Sequence, residues 1–178
     1  MHLNFEFKAK AIDITLLEKK LLGLGPKFIG EDHQIDTYFN SPAGRLKLRE
    51  GNIENALIHY EREDAADAKT SKVILYQHTP DQNLKNILIT TLGIKVVVDK
   101  RRKIYFIDNV KFHFDNVGKL GSFVEVEAID ADGTIDIDTL KQQAKHYSEL
   151  FGIKAEDYIA VSYSDLLLDA MKIERTSE

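Results

Sequence analysis

The chain has 178 residues, a formal net charge of −5 at pH 7 and no cysteine, and 43% of its residues are hydrophobic. Its length suits a single domain over residues 1–178, and its composition is that of an ordinary globular protein. The lack of cysteine excludes disulfides and thiolate metal sites, and the acidic total argues against a general nucleic-acid binder. No apolar run approaches the roughly 18 residues of a membrane span, and the N-terminus lacks a signal-peptide hydrophobic region, so we expect a cytoplasmic protein without a membrane segment.

Alternation of apolar and polar residues predicts eight strands. Between Leu3 and Lys10, for example, apolar side chains occupy every second position. Turn residues at Asn40–Gly44 and Gly51–Asn55 separate short neighbouring strands, which is typical of an antiparallel meander. The predicted strands span Leu3–Lys10, Phe28–Phe39, Arg45–Glu50, Ala56–Arg62, Lys72–Gln77, Ile94–Ile107, Val110–Val117 and Gly121–Ile129.

Four helices are predicted among these strands. Asp13 is a typical N-cap, and the apolar spacing of Leu17 and Leu21 indicates an amphipathic helix that ends at Gly23. The remaining helices are predicted over Pro80–Leu92, Asp136–Phe151 and Ser162–Met171. Strands joined by short turns, with helices at the ends of strand groups, indicate an α+β fold with an antiparallel sheet. Eight strands are enough to close into a barrel, and the pattern alone leaves closure open.

Several predicted strands carry charge on one face. Because successive side chains of a strand point to opposite faces, Lys47 shares a face with Arg49, as do other pairs in the chain. A solvated sheet face would explain any one such strand, but solvated faces also carry Thr, Ser and Gln, which these strands largely lack. The concentration of charge therefore indicates a binding site. The other charged sets are Glu6 with Lys8 and Lys10, Lys100 with Arg102, His113 with Asp115, and Glu125 with Glu127.

The cations and the carboxylates of these strands predict different partners. Arg makes planar, bidentate contacts with phosphate and Lys supplies point charges, so clustered cations predict a ligand with several phosphates. Carboxylates beside such a ligand would repel it unless a divalent cation lay between them, and Mg²⁺ and Mn²⁺ prefer oxygen ligands. Salt-bridge ladders are the alternative interpretation of the same carboxylates. The candidate metal ligands are Glu6, Asp115, Glu125 and Glu127.

Five blocks of sequence, in order, resemble the CYTH family of triphosphate tunnel enzymes, which includes class IV adenylyl cyclases, thiamine triphosphatases and inorganic triphosphatases. The first block, Asn4–Lys8, resembles the ExExK signature of that family. The stretches Gln34–Glu50 and Ala56–Arg62 look closest to the class IV cyclase branch. The other blocks are Gln34–Phe39 with Gly44–Arg49, Ile58–Arg62, Val98–Arg102, and His113–Asp115 with Gly121–Glu127.

This resemblance implies a closed eight-stranded antiparallel tunnel with helices outside, a small-molecule triphosphate such as ATP inside it, and Mg²⁺ or Mn²⁺ as cofactor. It also suggests a homodimer, and it implies that Glu6, Asp115, Glu125 and Glu127 hold the metal. The implied catalytic residues are Lys8, Arg62, Lys100 and Asp115. The implied phosphate-binding residues are Lys8, Lys47, Arg49, Arg62, Lys72, Lys100 and Arg102.

One position departs from the family pattern. The first acidic residue of ExExK is Asn4 here, and an amide oxygen can ligate a cation without contributing charge. A second metal would therefore bind more weakly than in the family pattern. His113 is expected to be a packing or hydrogen-bonding residue more often than a ligand, and Arg101 and Lys103 are expected at the surface because they lie on the face opposite Lys100.

The sequence leaves three activities open. An adenylyl cyclase would direct the ribose 3′-oxygen at the α-phosphorus and release pyrophosphate, and this is the first choice. A triphosphatase would use the same phosphate contacts but would direct water at the terminal phosphorus. A non-catalytic sensor of nucleotides or polyphosphate is a third hypothesis, which the retained carboxylates disfavour.

Overall fold

The computed structural model of the protein describes residues 3–62 and 71–176. Eight strands in this part of the chain form one antiparallel sheet. The strands are β1 (Leu3–Lys10), β2 (Lys27–Phe39), β3 (Arg45–Glu50), β4 (Ala56–Arg62), β5 (Ser71–Gln77), β6 (Ile94–Ile107), β7 (Val110–Val117) and β8 (Gly121–Asp130). The predicted strands agree with these within one residue at each end, so the prediction of an eight-stranded antiparallel α+β fold is confirmed.

The four predicted helices are also present. They are α1 (Ile14–Leu22), α2 (Gln82–Leu92), α3 (Ile137–Phe151) and α4 (Tyr163–Thr176). The carboxylates of Asp13, Asp81 and Asp136 accept hydrogen bonds from the first-turn backbone amides of α1, α2 and α3, which satisfies otherwise unpaired donors. Within residues 3–62 and 71–176, each helix is too short or too polar to cross a membrane.

The strand order across the sheet is β1-β8-β7-β6-β2-β3-β4-β5. The two outer strands, β1 and β5, are not paired with each other in the described residues, so the sheet forms a curled half-barrel. The prediction of a closed barrel was therefore slightly overstated. Closure depends on the tilt and stagger of all strands together, which the alternation within each strand does not encode.

The convex side of the half-barrel holds the main hydrophobic core. Side chains of β1, β6, β7 and β8 pack there against α1 and α3, and Phe112, Val126 and Leu140 are fully buried. Because side chains alternate along each strand, the residues between these apolar ones point to the opposite, concave side. Charged side chains of β1, β2, β3, β6, β7 and β8 line that concave face.

Helix α4 lies at one end of the concave face. Tyr163 and Leu167 pack there with Val98 and Phe123 in a second, smaller core. The carboxylate of Asp165 accepts a hydrogen bond from Arg45 of β3 at 2.9 Å, which ties the helix to the sheet. A cavity lies toward the opposite end of the half-barrel.

Candidate functional site

The first group on the concave face surrounds Asp36. Its Oδ1 accepts a hydrogen bond from Arg49 Nε at 2.8 Å, and its Oδ2 accepts from Arg49 Nη2 at 2.9 Å, Lys47 Nζ at 3.1 Å and Lys100 Nζ at 3.2 Å. Burial would raise the pKa of Asp36, but the charges of Lys100, Lys47 and Arg49 outweigh it and hold the pKa well below its ordinary value. We call these four residues the Asp36 cluster.

The second group surrounds Arg102. Its guanidinium donates to Asp115 Oδ1 at 2.7 Å and Oδ2 at 2.6 Å, and to Glu125 Oε2 at 2.7 Å. Asp115 also accepts a hydrogen bond from the Tyr163 hydroxyl at 2.7 Å and is fully buried. Both oxygens of Asp115 are thus engaged by protein donors. We call these four residues the Arg102 cluster.

Glu125 links the Arg102 cluster to two further residues. Lys8 Nζ lies 3.4 Å from Glu125 Oε1, and His113 Nδ1 lies 3.2 Å from Glu125 Oε2. Burial and the charge of Arg102 lower the pKa of His113 to about 4, so its imidazole is neutral at pH 7 and donates from Nδ1 to the carboxylate. Among the described residues, no atom forms a hydrogen bond with His113 Nε2. The structure therefore gives His113 a hydrogen-bonding role, as expected.

Glu54 reaches across the concave face from the turn between β3 and β4. Its Oε2 accepts from Arg49 Nη1 at 2.9 Å and from Gln34 Nε2 at 3.0 Å, and its Oε1 accepts from Lys111 Nζ at 2.8 Å. The turn is held in place because the carboxylate of Asp32 accepts hydrogen bonds from the backbone amides of residues 53 and 54. Glu54 thereby neutralises two cations of different strands.

An acidic pair lies at the cavity end of the site. Glu6 of β1 is directly opposite Glu127 of β8 in the strand register, and Asn4 Nδ2 donates to Glu127 Oε1 at 2.7 Å. Burial and the charges of Glu6 and Glu125 raise the pKa of Glu127 to about 7. This pair concentrates negative charge where a divalent cation would relieve it.

The side chains at the acidic pair could supply some, but not all, of the oxygen ligands of a hard divalent cation. In the described residues, no three Asp, Glu or His side chains are grouped as a ready-made metal site. Mg²⁺ is commonly held by one or two carboxylates together with phosphate oxygens of a substrate, which is what Glu6 and Glu127 could provide. Glu125 is close enough to influence the pKa of Glu127, whereas Asp115 would first have to leave Arg102 and Tyr163.

A cavity of about 560 Å³ opens beside the acidic pair. Arg102, His113 and Glu127 contribute to its charged side. The opposite wall carries an apolar patch of Ile53, Ala56, Ile58 and Leu75, beside the polar side chains of Glu54, Asn55, Gln77 and His78. The volume lies within the range of about 300–1,000 Å³ that is usual for small-molecule sites.

The structure brings most of the sequence-predicted residues onto the concave face. They are Glu6, Lys8, Lys47, Arg49, Lys100, Arg102, Asp115, Glu125 and Glu127. The side chains of Arg62 and Lys72 lie outside the described residues. Arg101 is exposed and pairs with Glu31 on the other face, as predicted, while Lys103 is partly covered by Glu18 of α1.

Sequence reasoning gave no role to four residues of the site. Asp36 lies within the resembling block Gln34–Phe39, and its place between other polar residues on the same strand face was a usable signal. Lys111 also shares its face with His113. Glu54 and Tyr163 had no such signal, because one lies in a turn and the other begins a distant helix.

An antiparallel half-barrel with ion pairs buried on its concave face places the protein among the tunnel-type β folds. A family model for the CYTH domain matches residues 2–163. The chain therefore belongs to the CYTH family, and the predicted family is confirmed.

Three similar proteins illustrate this membership. The chain is 25% identical over 175 residues to a protein of Methanocaldococcus jannaschii named "Putative adenylate cyclase", covering 92% of this chain and 98% of that protein. The structure of the PH1012 protein from Pyrococcus horikoshii matches with a TM-score of 0.75 at 25% identity, covering 92% of this chain and 99% of that one. A Hippeastrum protein described as a "putative adenylyl cyclase" with a dominant triphosphatase activity matches with a TM-score of 0.69 at 10% identity, covering 96% of each chain. At that identity, the last similarity shows the fold alone.

Proposed function

We propose that the protein is a metal-dependent enzyme that acts on a triphosphate, and that it converts ATP to cyclic AMP and pyrophosphate. The observation that carries this proposal is the concave face, where the Asp36 and Arg102 clusters place buried Lys and Arg side chains beside the Glu6–Glu127 pair. Family membership and the similarity to the Methanocaldococcus jannaschii protein support the same proposed activity.

The cations would bind the phosphate chain and neutralise the charge that develops on it. Lys47, Arg49 and Lys100 come from two strands and converge on one carboxylate, so their remaining N–H groups are held close together. Arg102 is held in the same way by Asp115 and Glu125. Groups held in position before the substrate arrives need little reorganisation during the reaction, which is how such sites stabilise a transition state.

Glu6 and Glu127, with Glu125 nearby, would hold the divalent cation. A bound Mg²⁺ or Mn²⁺ would supply Lewis-acid stabilisation of phosphate oxygens. In this proposal Asp115 orients Arg102 rather than binding metal, because both of its oxygens already accept hydrogen bonds within the Arg102 cluster.

The apolar patch of the cavity wall supports an organic triphosphate over an inorganic one. Ile58 and Leu75 form a surface on which a flat ring could pack, and the amide of Gln77 could donate to and accept from polar atoms of that ring. The amide of Asn55 instead hydrogen-bonds to the backbone of Gly51 and holds the turn before β4. An inorganic triphosphate would leave the apolar patch unused. A nucleoside triphosphate would occupy both sides of the cavity.

A triphosphatase is the second candidate. The same residues would hold the phosphate chain, and the difference would be whether water or a ribose hydroxyl lies in line with the phosphorus that is attacked. The Hippeastrum protein, which shares the fold, is described as having a dominant triphosphatase activity, so this alternative needs a direct test.

Product analysis separates the candidates. The purified protein is incubated with ATP or with inorganic tripolyphosphate, each with Mg²⁺ or Mn²⁺, and cyclic AMP, pyrophosphate and orthophosphate are resolved. Equimolar cyclic AMP and pyrophosphate would support the cyclase, whereas orthophosphate release would support the triphosphatase. Binding without turnover would contradict both and favour a sensor. An Arg102→Met variant should lose turnover in this assay, because Arg102 would contact the phosphate chain. Arg101→Met is its matched control and should keep turnover, because the two neighbours point to opposite faces of β6.

A further inference from the structure

Asp36 supplies the carboxylate at the centre of the Asp36 cluster, and its side chain is 1% exposed. Its two oxygens together accept four hydrogen bonds, two from Arg49 and one each from Lys47 and Lys100. A carboxylate offers about four lone-pair sites, so four protein donors and an exposure of 1% leave little room for contact with a substrate or a metal. Asp36 therefore acts on other residues of the site, without touching the substrate itself.

The three cations need such an anion because they repel each other. Lys100 is 3% exposed, and burial together with the charges of Arg102, Arg49 and Lys47 lowers its pKa well below the ordinary value, while Asp36 opposes that shift. An uncompensated buried cation loses its proton or is pushed toward solvent. Either response would remove a phosphate-binding charge from the site.

We propose that Asp36 is a positioning residue that holds Lys47, Arg49 and Lys100 together, charged and aimed at one phosphate group of the substrate. The proposal rests on the proposed function, because it presumes that the concave face binds a polyphosphate. Arg49 keeps N–H groups that do not contact Asp36, and each lysine ammonium donates only one of its three hydrogens to it. One Nη1 hydrogen of Arg49 is donated to Glu54, and the other remaining donors can be directed at phosphate oxygens.

The charge on Lys100 depends on groups from several elements. Those facing it are Asp36 of β2, Lys47 and Arg49 of β3, Arg102 of β6, Asp115 of β7 and Tyr163 of α4, with Lys8 of β1 over the same tyrosine ring. Within this set, the two carboxylates and the face of the Tyr163 ring favour the charged ammonium, and the carboxylates do so most strongly because they carry full charge. Removal of Asp36 therefore shifts the balance against a charged Lys100.

The test compares Asp36→Asn with wild type for binding of inorganic tripolyphosphate by calorimetry between pH 6.5 and 9.5. Asp36→Asn is expected to weaken binding at least about tenfold near pH 7.5, since truncating one partner of a buried charge pair has large effects. The difference in affinity between Asp36→Asn and wild type should become smaller at low pH, where Lys100 regains its proton. Asp36→Glu should restore part of the affinity. Asp99→Asn is the control, because Asp99 lies on the outer face of β6 and its side chain is 61% exposed.

Equal affinities and equal pH profiles for wild type and Asp36→Asn would overturn the proposal. If Asp36→Asn does not fold, the same question is answered on the wild type by NMR of its lysine ammonium groups. The proposal expects protected signals for Lys47 and Lys100 that persist when tripolyphosphate is added, and their absence in the free protein would overturn it. A wild type that shows these signals but does not bind tripolyphosphate would refute the proposed function and the phosphate-directing part of this proposal, and would leave only the role of Asp36 in holding the three cations together.

Discussion

Replacing Tyr163 with Phe should destabilise the protein by removing one hydrogen bond that joins α4 to the buried Arg102 cluster. The Tyr163 hydroxyl donates to Asp115 Oδ2 at 2.7 Å, and Asp115 is fully buried, so water cannot replace the lost donor. The ring would still pack on Phe123, with centroids 5.0 Å apart. The change therefore isolates the hydrogen bond.

The expected loss follows from the partners of Asp115. Hydrogen bonds to charged groups contribute about 1.5–3 kcal/mol, and Asp115 keeps two from Arg102, so the lower half of that range applies. A loss of about 2 kcal/mol should lower the midpoint of thermal unfolding by roughly 4–8 °C in a protein of this size. The effect should appear in circular dichroism melts at constant pH and salt.

Tyr76→Phe is the matched control. Tyr76 lies on β5 with 64% of its surface exposed, and exposed substitutions usually change stability by less than about 0.5 kcal/mol. If Tyr163→Phe melts at the same temperature as Tyr76→Phe, the hydroxyl of Tyr163 does not stabilise the Arg102 cluster and the reasoning is wrong.

Three further predictions concern the ligand and the pH. Lys47→Ala and Arg49→Ala should each weaken tripolyphosphate binding about tenfold, as measured by calorimetry. An unchanged affinity in either variant would contradict this prediction. Glu54→Gln should instead strengthen that binding severalfold, because it releases Arg49 and Lys111 from an internal anion, and a weaker affinity would argue that Glu54 positions them. The pKa of Glu127 is raised from 4.5 to about 7, so between these pH values the folded state binds more protons than the unfolded chain. The free energy of unfolding of the metal-free protein should therefore fall as the pH rises from 4.5 through 7. Melts from pH 5 to 7.5 should show this loss in wild type, with a plateau above pH 7, and a smaller slope in Glu127→Gln, whereas equal slopes would contradict the shift.

The strands and helices could be predicted from sequence because their signals are local. Alternation placed the bounds of β3, β4, β6 and β7 at the observed residues, and Asp13, Asp81 and Asp136 mark helix starts through contacts a few residues away. Whether β1 meets β5 is decided by the summed stagger of eight strands, so the open edge was not predictable from any one of them.

The candidate site was predictable as a set of charges but not as a set of pairs. Alternation showed that Lys47 and Arg49 share a face, yet it could not show that both would contact Asp36 across the sheet. The sequence allowed Asp115 to be a metal ligand, and only the structure reveals its contacts with Arg102 and the distant Tyr163. Partner choice among many nearby charges is a property of the assembled sheet.

We expect the concave face to bind a phosphate chain, and calorimetry of the wild type with phosphate, pyrophosphate and tripolyphosphate tests this most directly. The three ligands are compared at one pH and one salt concentration, with and without Mg²⁺. The structure predicts one site per chain, affinity that increases with the number of phosphates, and weaker binding at higher salt. Equal affinities for the three ligands, or no binding of tripolyphosphate, would contradict the claim.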